Sequence, residues 1–457
     1  MLKAAIKYCS FVPCQSELCV RKCFNCLRSR LISFTIRWHW RGLALKAVLV
    51  IGDGMADRPI KELGWKTPLE VANKPSLNQL AQTGICGILD PISPGVPPGS
   101  DTATLALLGY DALRVYSGRG ALEALGSGVK VLPGDVAFRC NFATVNENMV
   151  VVDRRAGRIV NEDASKLAET INKVQLKKSS NARFHFKSTI QHRTVLVIRG
   201  PKLSTAVSDS DPGMVGEKAA EVKPLNGSSE AKLTAKIVNE LSHDFHQVLK
   251  NHPVNHDRIK RNLPPANIVL CRGVGTIPNV KPLSQRYGIK AVGIAATPLV
   301  KGVCKAVGIK VLDVKGATGT PQTDYVAKTR AAVHALKDCD FVLLHVKATD
   351  VASHDGNPKQ KVESIEKIDG LLGYLLDHVD LNGTYVAVTA DHTTSCLTGN
   401  HEGDPVPIAI TGPYVRFDKV KEYDERSCAE GGLGRIRGMH LMPILMNLLG
   451  KTHKFGA

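Results

Sequence analysis

Short, unbroken apolar runs punctuate the chain, and several of them end on an aspartate. Ala47-Val-Leu-Val-Ile51 leads into Gly52-Asp53-Gly54. Phe341-Val-Leu-Leu-His-Val346 leads to Lys347 and Asp350, and Thr384-Tyr-Val-Ala-Val-Thr389 leads to Asp391-His392. Runs this short and continuous predict strands buried on both faces of a parallel sheet. A fourth run, Val406-Pro-Ile-Ala-Ile410, follows. Elsewhere the period changes. Val362, Ile365, Ile368, Leu372, Leu375 and Leu376 share one helical stripe, and Leu441, Ile444, Leu445 and Leu448 share another. Strands alternating with amphipathic helices predict an α/β sheet, which binds ligands at the carboxyl ends of its strands. Three aspartates sit at such ends, although the whole middle of the chain separates Asp53 from the other two.

That middle reads as a second α/β domain inserted into the first. Pro94-Gly-Val-Pro-Pro-Gly99 is a rigid loop, and Arg193–Ile198 and Asn267–Cys271 read as strands. Residues 205–229, rich in Ser, Asp, Pro and Gly, predict a loop; residues 232–249 predict a helix, and 251–265 a polar connector. The limits fall near 112 and 285. Residues 46–111 and 286–457 then form one domain, and 112–285 the insertion. There are no internal repeats.

At 457 residues and 43% hydrophobic, the chain is long enough for more than one core. No apolar run approaches the ~18 residues of a bilayer helix, and 12 Cys are too sparse for a disulfide scaffold. The seven Cys of the core are scattered and expected to be reduced. The net charge of +18 raises the question of nucleic acid. Its distribution answers it. Residues 1–45 carry eight basic side chains against the single acid Glu17, together with five Cys. This basic, nearly acid-free stretch has transit-peptide traits and reads as an extension: a targeting sequence, or residues preceding the true start. Its one close pair, Cys23 and Cys26, falls short of the paired ligand sets of a zinc module. The rest of the chain spreads its positive charge. It lacks the basic stripes with interleaved aromatics, the helix-turn-helix and the P-loop that nucleic-acid binding predicts.

Hard and borderline metal ligands gather at the strand ends. Asp350-x-x-x-His354 can turn both side chains to one side, Asp391-His392 is a second pair, and His401 lies in Gly399-Asn-His-Glu-Gly403. With Asp53 they suffice for two divalent ions. A lone Asp-His pair is more often a cap or a surface contact; it is the joint occurrence at strand ends that points to metal. Ser100, in Pro98-Gly-Ser-Asp-Thr-Ala103, opens a segment of helical promise. It reads as a helix cap or, beside bound metal, as a nucleophile whose phosphate the helix N-terminus would stabilise. Arg119, Arg139, Arg154, Arg155, Arg158, Arg193 (after His192) and Arg272 supply guanidinium forks for phosphate or carboxylate, with solvated surface residues as the other reading.

A set of motifs carries a resemblance. Gly52-Asp-Gly-Met-Ala-Asp-Arg-Pro59, Pro98-Gly-Ser-Asp-Thr-Ala103, Tyr116-Ser-Gly-Arg-Gly-Ala-Leu-Glu-Ala-Leu-Gly126, Asp153-Arg-Arg-Ala-Gly-Arg158, Lys347-Ala-Thr-Asp350 with His354-Asp355, Ala390-Asp-His-Thr393, Asn400-His401 with Gly403-Asp-Pro-Val-Pro407, and Gly431-Gly-Leu-Gly-Arg-Ile-Arg-Gly438 resemble the archaeal-type cofactor-independent phosphoglycerate mutases of the alkaline phosphatase superfamily. The resemblance runs from Lys46 to Ala457. It implies an α/β fold, an alkaline-phosphatase-like three-layer sandwich with an inserted α/β lid domain. It implies one divalent ion (Mn, Mg, Co or Zn) on Asp53, Ser100, Asp391 and His392 and another on Asp350, His354 and His401. Ser100 would be the phosphorylated nucleophile, and Lys347, His192 and the arginines would bind substrate.

The implied reaction interconverts 3-phosphoglycerate and 2-phosphoglycerate with no bisphosphoglycerate. A carboxylate would serve as general base; Asp211, in Ser208-Asp-Ser-Asp-Pro212, is a candidate, with turn capping as the other reading. The rivals on the same scaffold are a metal-dependent phosphatase, a phosphonate hydrolase and a phosphopentomutase. A dead homologue is disfavoured, since all seven metal and nucleophile positions carry competent residues. The expected partner is the small-molecule substrate alone, without nucleic acid or membrane, in a monomer or small homo-oligomer. The expected compartment is the cytoplasm, or an organelle if residues 1–45 are a transit peptide.

Overall fold

Eight strands, numbered along the chain, build the central sheet of the computed structural model, which describes residues 45–177 and 181–456. They are β1 (Lys46–Gly52), β2 (Ile85–Asp90), β8 (Ala291–Ile294), β9 (Lys310–Val311), β10 (Phe341–Val346), β11 (Thr384–Thr389), β14 (Val406–Thr411) and β15 (Gly434–Arg437). Their order is β15-β2-β14-β11-β1-β10-β8-β9. All run parallel except β14, which opposes both of its neighbours. The central strands β10 and β11 are buried at every residue. Burial on both faces explains why their sequences are continuous rather than alternating, and it gives three layers, helices over sheet over helices. One of the covering helices, Pro358–His378, buries Ile365, Ile368, Leu372 and Leu375 of the predicted stripe. It starts where the Asn357 side chain accepts a hydrogen bond from Gln360 N, with Pro358 at the first helical position. The readings of residues 1–44 lie outside the described residues.

A second, antiparallel sheet uses only residues between Val136 and Gly275: β3 (Val136–Val145), β4 (Val151–Asp153), β5 (Arg183–Ser188), β6 (Arg193–Arg199) and β7 (Ile268–Gly275). The long β3 pairs with β6 on one side and β7 on the other. One face packs its own core, in which Phe138, Phe142, Phe186, Leu196, Leu241 and Phe245 are buried. The remaining strands, β12 (Thr393–Thr394) and β13 (His401–Glu402), form a small hairpin beside the ends of the central sheet.

The helix Arg119–Gly126 links the two sheets. It packs on β3 and crosses the helix Pro298–Ala306 almost backbone to backbone. A Cβ on Gly126 would lie 1.6 Å from Pro298 O, and one on Gly302 would lie 1.8 Å from Leu122 O. Only glycine permits that approach.

Two sequence expectations change. The segment 251–265, read as a connector, contains the helix Pro253–Lys260. Its inward face is polar, which hides it from hydrophobic periodicity. Asn255 and Arg258 are buried, and Arg258 donates to Ala156 O at 2.7 Å and Pro264 O at 3.1 Å. The predicted helix at 232–249 begins earlier, at Ser229, where the Ser228 hydroxyl accepts from Ala231 N.

Candidate active site

The loop after β1 turns at Gly54 (φ +62°), where a Cβ would meet Thr394 Oγ1 at 2.4 Å. The tight turn lets Asp53 point inward and Gly54 N donate to Asp391 Oδ1 at 3.0 Å. The ends of β10 and β11 bring in Asp350 and Asp391-His392. Asp53, Asp350, Asp391 and His392 are all at most 1% exposed. Ser100 is the first residue of the helix Ser100–Leu107, and its Oγ lies 3.2 Å from His392 Nε2. Asp350, His354 and His401 place ligand atoms within 4.8 Å of one another, as do Asp53, Asp350 and His392. The residues chosen from the sequence for the two ions and the nucleophile thus converge, with Asp350 reaching into both halves.

The imidazoles argue that the cluster is built for cations. The Nδ1 atom of each predicted ligand is engaged from behind: His354 with Gly399 O (2.6 Å), His401 with Pro98 O (2.7 Å) and His392 with the Thr394 hydroxyl (2.9 Å). Thr394 in turn donates to Asp350 Oδ1 at 2.9 Å. Such outer contacts put the proton on Nδ1 and leave the Nε2 lone pair facing the site. There, His392 Nε2 sits 3.3 Å from Asp53 Oδ1 and 3.4 Å from Asp391 Oδ2. Burial lowers the pKa of His392 to about 4, so its ring is neutral. A lone pair aimed at the Asp53 carboxylate is repulsive unless a cation lies between them. Asp391 Oδ2 also lacks a hydrogen-bond partner. Burial, reinforced by Asp53, raises the Asp391 pKa well above the usual carboxylate range, the response of one carboxylate too many. The donor set of oxygens and imidazole nitrogens suits divalent ions.

Lys347 supplies positive charge here. Its Nζ lies 3.1 Å and 2.9 Å from the two oxygens of Asp53 and 2.6 Å from Asp350 Oδ2. Burial is the largest single influence and would raise the Asp53 pKa, but the ammonium together with His345 and His392 keeps the carboxyl well below its ordinary value. Sequence reasoning placed Lys347 on the substrate; its ammonium group rests among the carboxylates, as a cation would.

Three supporting features escaped sequence reasoning. His345, inside β10, lies 3.1 Å from Asp53 Oδ2. Thr349 donates to Asp53 O at 2.5 Å. The buried Lys361 bridges Asp57 Oδ2 (2.9 Å), Ala56 O (2.9 Å) and Thr394 O (2.7 Å), tying the two loops together behind the cluster. A polar residue within an apolar run, as at His345, and a lysine on a helix's buried stripe, as at Lys361, were the available signals.

The arginines gather elsewhere in the fold. Arg139, Arg154, Arg155, Arg158, His192, Arg193 and Arg272 line one polar pocket of about 440 Å³ on the second sheet. Arg119 lies instead in a neighbouring pocket of about 500 Å³ with Pro98, Gly99 and Tyr116, beside the Ser100 loop. Burial, with the surrounding guanidiniums, lowers Arg139 to about 10 and His192 to about 4. The backbone is strained to present these groups. Ala156, Gly157 and Arg158 have φ of 44°, 61° and 53°, and Gln191, at the pocket wall, has 54°. The Asp153 carboxylate accepts from Arg155 N and Gly157 N, each at 2.7 Å, and holds the turn. Left-handed backbone at a non-glycine costs about 1 kcal/mol or more, and such strain concentrates at functional sites.

Asp211 both caps a turn and pairs with arginine. Its Oδ1 accepts from Gly213 N at 3.0 Å. Arg154 grips both oxygens, at 3.0 Å and 2.7 Å, and Arg272 Nε is 3.7 Å away. Burial is the largest single influence and would raise its pKa, but the hydrogen bonds from Arg154 and Gly213 N, with the charges of Arg154 and Arg272, together lower it.

No described helix is long and apolar enough to cross a membrane. A family model described as 2,3-bisphosphoglycerate-independent phosphoglycerate mutase matches residues 81–255. The chain is 48% identical over 412 residues to the 2,3-bisphosphoglycerate-independent phosphoglycerate mutase 1 of Methanocaldococcus jannaschii, a match spanning 90% of this chain and 99% of the relative. It is 50% identical over 423 residues to the corresponding mutase of Methanopyrus kandleri, across 91% and 99%. The solved cofactor-independent phosphoglycerate mutase of Thermoplasma acidophilum superposes with a TM-score of 0.68 at 36% identity, covering 89% of this chain and all of that one. A solved protein of Pyrococcus horikoshii gives a TM-score of 0.80 at 42% identity, covering 91% and 100%. With identity of this order across nearly the whole of each relative, and with the residues of the family's motifs meeting in one buried cluster, the chain belongs to the 2,3-bisphosphoglycerate-independent phosphoglycerate mutases.

Proposed function

We propose that Ser100 is the nucleophile in the interconversion of 3-phosphoglycerate and 2-phosphoglycerate, through a phosphoserine and without bisphosphoglycerate. The observation that carries this is the placement of Ser100: buried, at a helix N-terminus, 3.2 Å from His392 within the carboxylate and imidazole cluster. Asp53, Asp391 and His392 with Ser100 would hold one divalent ion, and Asp350, His354 and His401 the other, with Mn, Mg, Co or Zn all suited to the donors. When bound, the ions lower the pKa of the Ser100 hydroxyl and offset charge on the phosphoryl oxygens.

The residues of the chain do the rest. Ser100 Oγ forms a bond to phosphorus as the bond from phosphorus to the glycerate oxygen breaks, and the proton that the Ser100 hydroxyl gives up is balanced by the one that oxygen takes up. The helix N-terminus at Ser100 presents backbone N–H groups to the phosphoryl group. The arginine pocket binds the negative groups of the substrate, and Arg119 spans toward Ser100. Glycerate turns, and its other hydroxyl oxygen attacks phosphorus as the Ser100–phosphorus bond breaks, the proton that hydroxyl loses being balanced by the one Ser100 Oγ regains. Residues 112–285 act as a lid that retains glycerate and excludes water in that interval. Asp211 orients Arg154 rather than taking a proton, because the hydrogen bonds that pin it also make it a weak base. The compartment we propose is the cytoplasm, or an organelle if residues 1–45 are a transit peptide.

An enolase-coupled assay on 3-phosphoglycerate, run with and without bisphosphoglycerate, tests the reading. Equal rates of 2-phosphoglycerate formation are expected. Release of inorganic phosphate in its place would overturn it in favour of a phosphatase on the same scaffold.

A further inference from the structure

His345 has no use in the mechanism above, yet it sits against the centre of the site. It lies in β10 between Leu344 and Val346, is 1% exposed, and neither ring nitrogen makes a well-aligned hydrogen bond. A buried polar ring without partners is costly, and an aliphatic residue would pack there without that cost. Packing therefore does not explain it. What the ring faces is specific. His345 Nε2 lies 3.1 Å from Asp53 Oδ2, a distance that suits a hydrogen bond although the two are out of alignment. Asp53 and Asp391 each place a carboxylate oxygen within 4.8 Å of the ring. The strand is pinned at this residue by a buried lysine, since Lys328 Nζ donates to His345 O.

The two oxygens of Asp53 therefore look in different directions. Oδ1 faces His392, 3.3 Å away, and through it Ser100. Oδ2 faces His345. We infer that His345 is a positioning residue of the metal centre: it holds Asp53 from beneath through Oδ2, so that Oδ1 is presented on the side of Ser100. The inference rests on the reading of the cluster as a metal centre. Ligating carboxylates are held by outer hydrogen bonds, and losing one such bond weakens metal binding roughly 10–100-fold. His345 does not touch the substrate in this account, so its effect runs through Asp53.

Calorimetric titration of metal-stripped protein with Mn²⁺ tests it on wild type, His345→Leu and His345→Gln. Leucine removes the donor at similar bulk, and glutamine restores one. Four results are expected. His345→Leu binds Mn²⁺ roughly 10–100-fold more weakly. His345→Gln recovers most of that loss. The metal-free melting temperature of His345→Leu is no lower than that of wild type, and at saturating Mn²⁺ its KM for 3-phosphoglycerate is unchanged. Unchanged Mn²⁺ affinity with a lowered metal-free melting temperature would overturn the inference in favour of a purely structural role. Three Mn²⁺ per wild-type chain, with one lost in His345→Leu, would overturn it in favour of a direct ligand. If the leucine variant does not fold, His345→Asn, too short to reach Asp53, is read by the same outcomes. Wild type that binds no Mn²⁺ would overturn the metal centre itself, a result distinct from any of these.

Discussion

Arg154 grips both oxygens of Asp211, and that grip decides what Asp211 can do. A carboxylate whose pKa is lowered by its partner is a poor proton acceptor but a good brace. Asp211→Asn should therefore raise the KM for phosphoglycerate more than it lowers kcat, by roughly tenfold for the loss of one charge-assisted contact. A collapse of kcat with unchanged KM would restore Asp211 as the base. His354 gives a second residue-scale prediction. Its hydrogen bond to Asp350, outweighing burial, raises its pKa above 6.5 in the metal-free protein. Metal must displace that proton, so affinity falls as pH falls, and competition begins above pH 6.5 rather than below it. Titration of Mn²⁺ binding between pH 8 and 6 checks this; pH-independent affinity across that range would refute it. Much of the candidate site was legible at this scale because aspartate and histidine at strand ends, with a serine at a helix start, are chemically unusual. His345 and Lys361 were not, because each hides within an apolar pattern that the eye assigns to the core.

At the scale of elements, continuous apolar runs identified β1, β10, β11 and β14, strands buried on both faces. Strands with another logic were harder to read. β3 alternates apolar residues with Arg139 and Asn141, which serve the arginine pocket, and β2 is interrupted by Gly87, whose Cβ would lie 2.5 Å from Gly434 O. The helix Pro253–Lys260 buries polar groups, so it lacked the apolar stripe. The close crossing of Arg119–Gly126 over Pro298–Ala306 is equally invisible to periodicity, although the glycines that permit it are plain in the sequence. Gly126→Ala should force those backbones apart and destabilise the protein by at least about 1–3 kcal/mol. Denaturant unfolding measures it, and a change below about 0.5 kcal/mol would show that the crossing yields easily.

For the molecule as a whole, the proposal couples two regions: a carboxylate-rich cluster at the ends of the central sheet and an arginine-rich pocket on the second sheet. The net charge of +18 suggested nucleic acid only while its distribution was ignored. A share of the core's positive charge lies in a pocket sized for a small anion. A mutase differs from a phosphatase in keeping glycerate while the serine is phosphorylated. If the lid does this, Arg155→Ala or Arg158→Ala should raise inorganic phosphate release relative to 2-phosphoglycerate formation. A fall of both activities in equal proportion would show that these arginines do not retain the intermediate.

The central claim is that the phosphoryl group passes through Ser100. Its most direct test is acid quenching of wild type and Ser100→Ala during turnover of 3-phosphoglycerate, followed by peptide mass spectrometry. The account predicts one phosphoryl group on Ser100 in the wild type, none in the variant, and a loss of mutase activity of roughly a thousandfold or more. A phosphorylated residue other than Ser100, or a variant that retains the mutase rate, would contradict it.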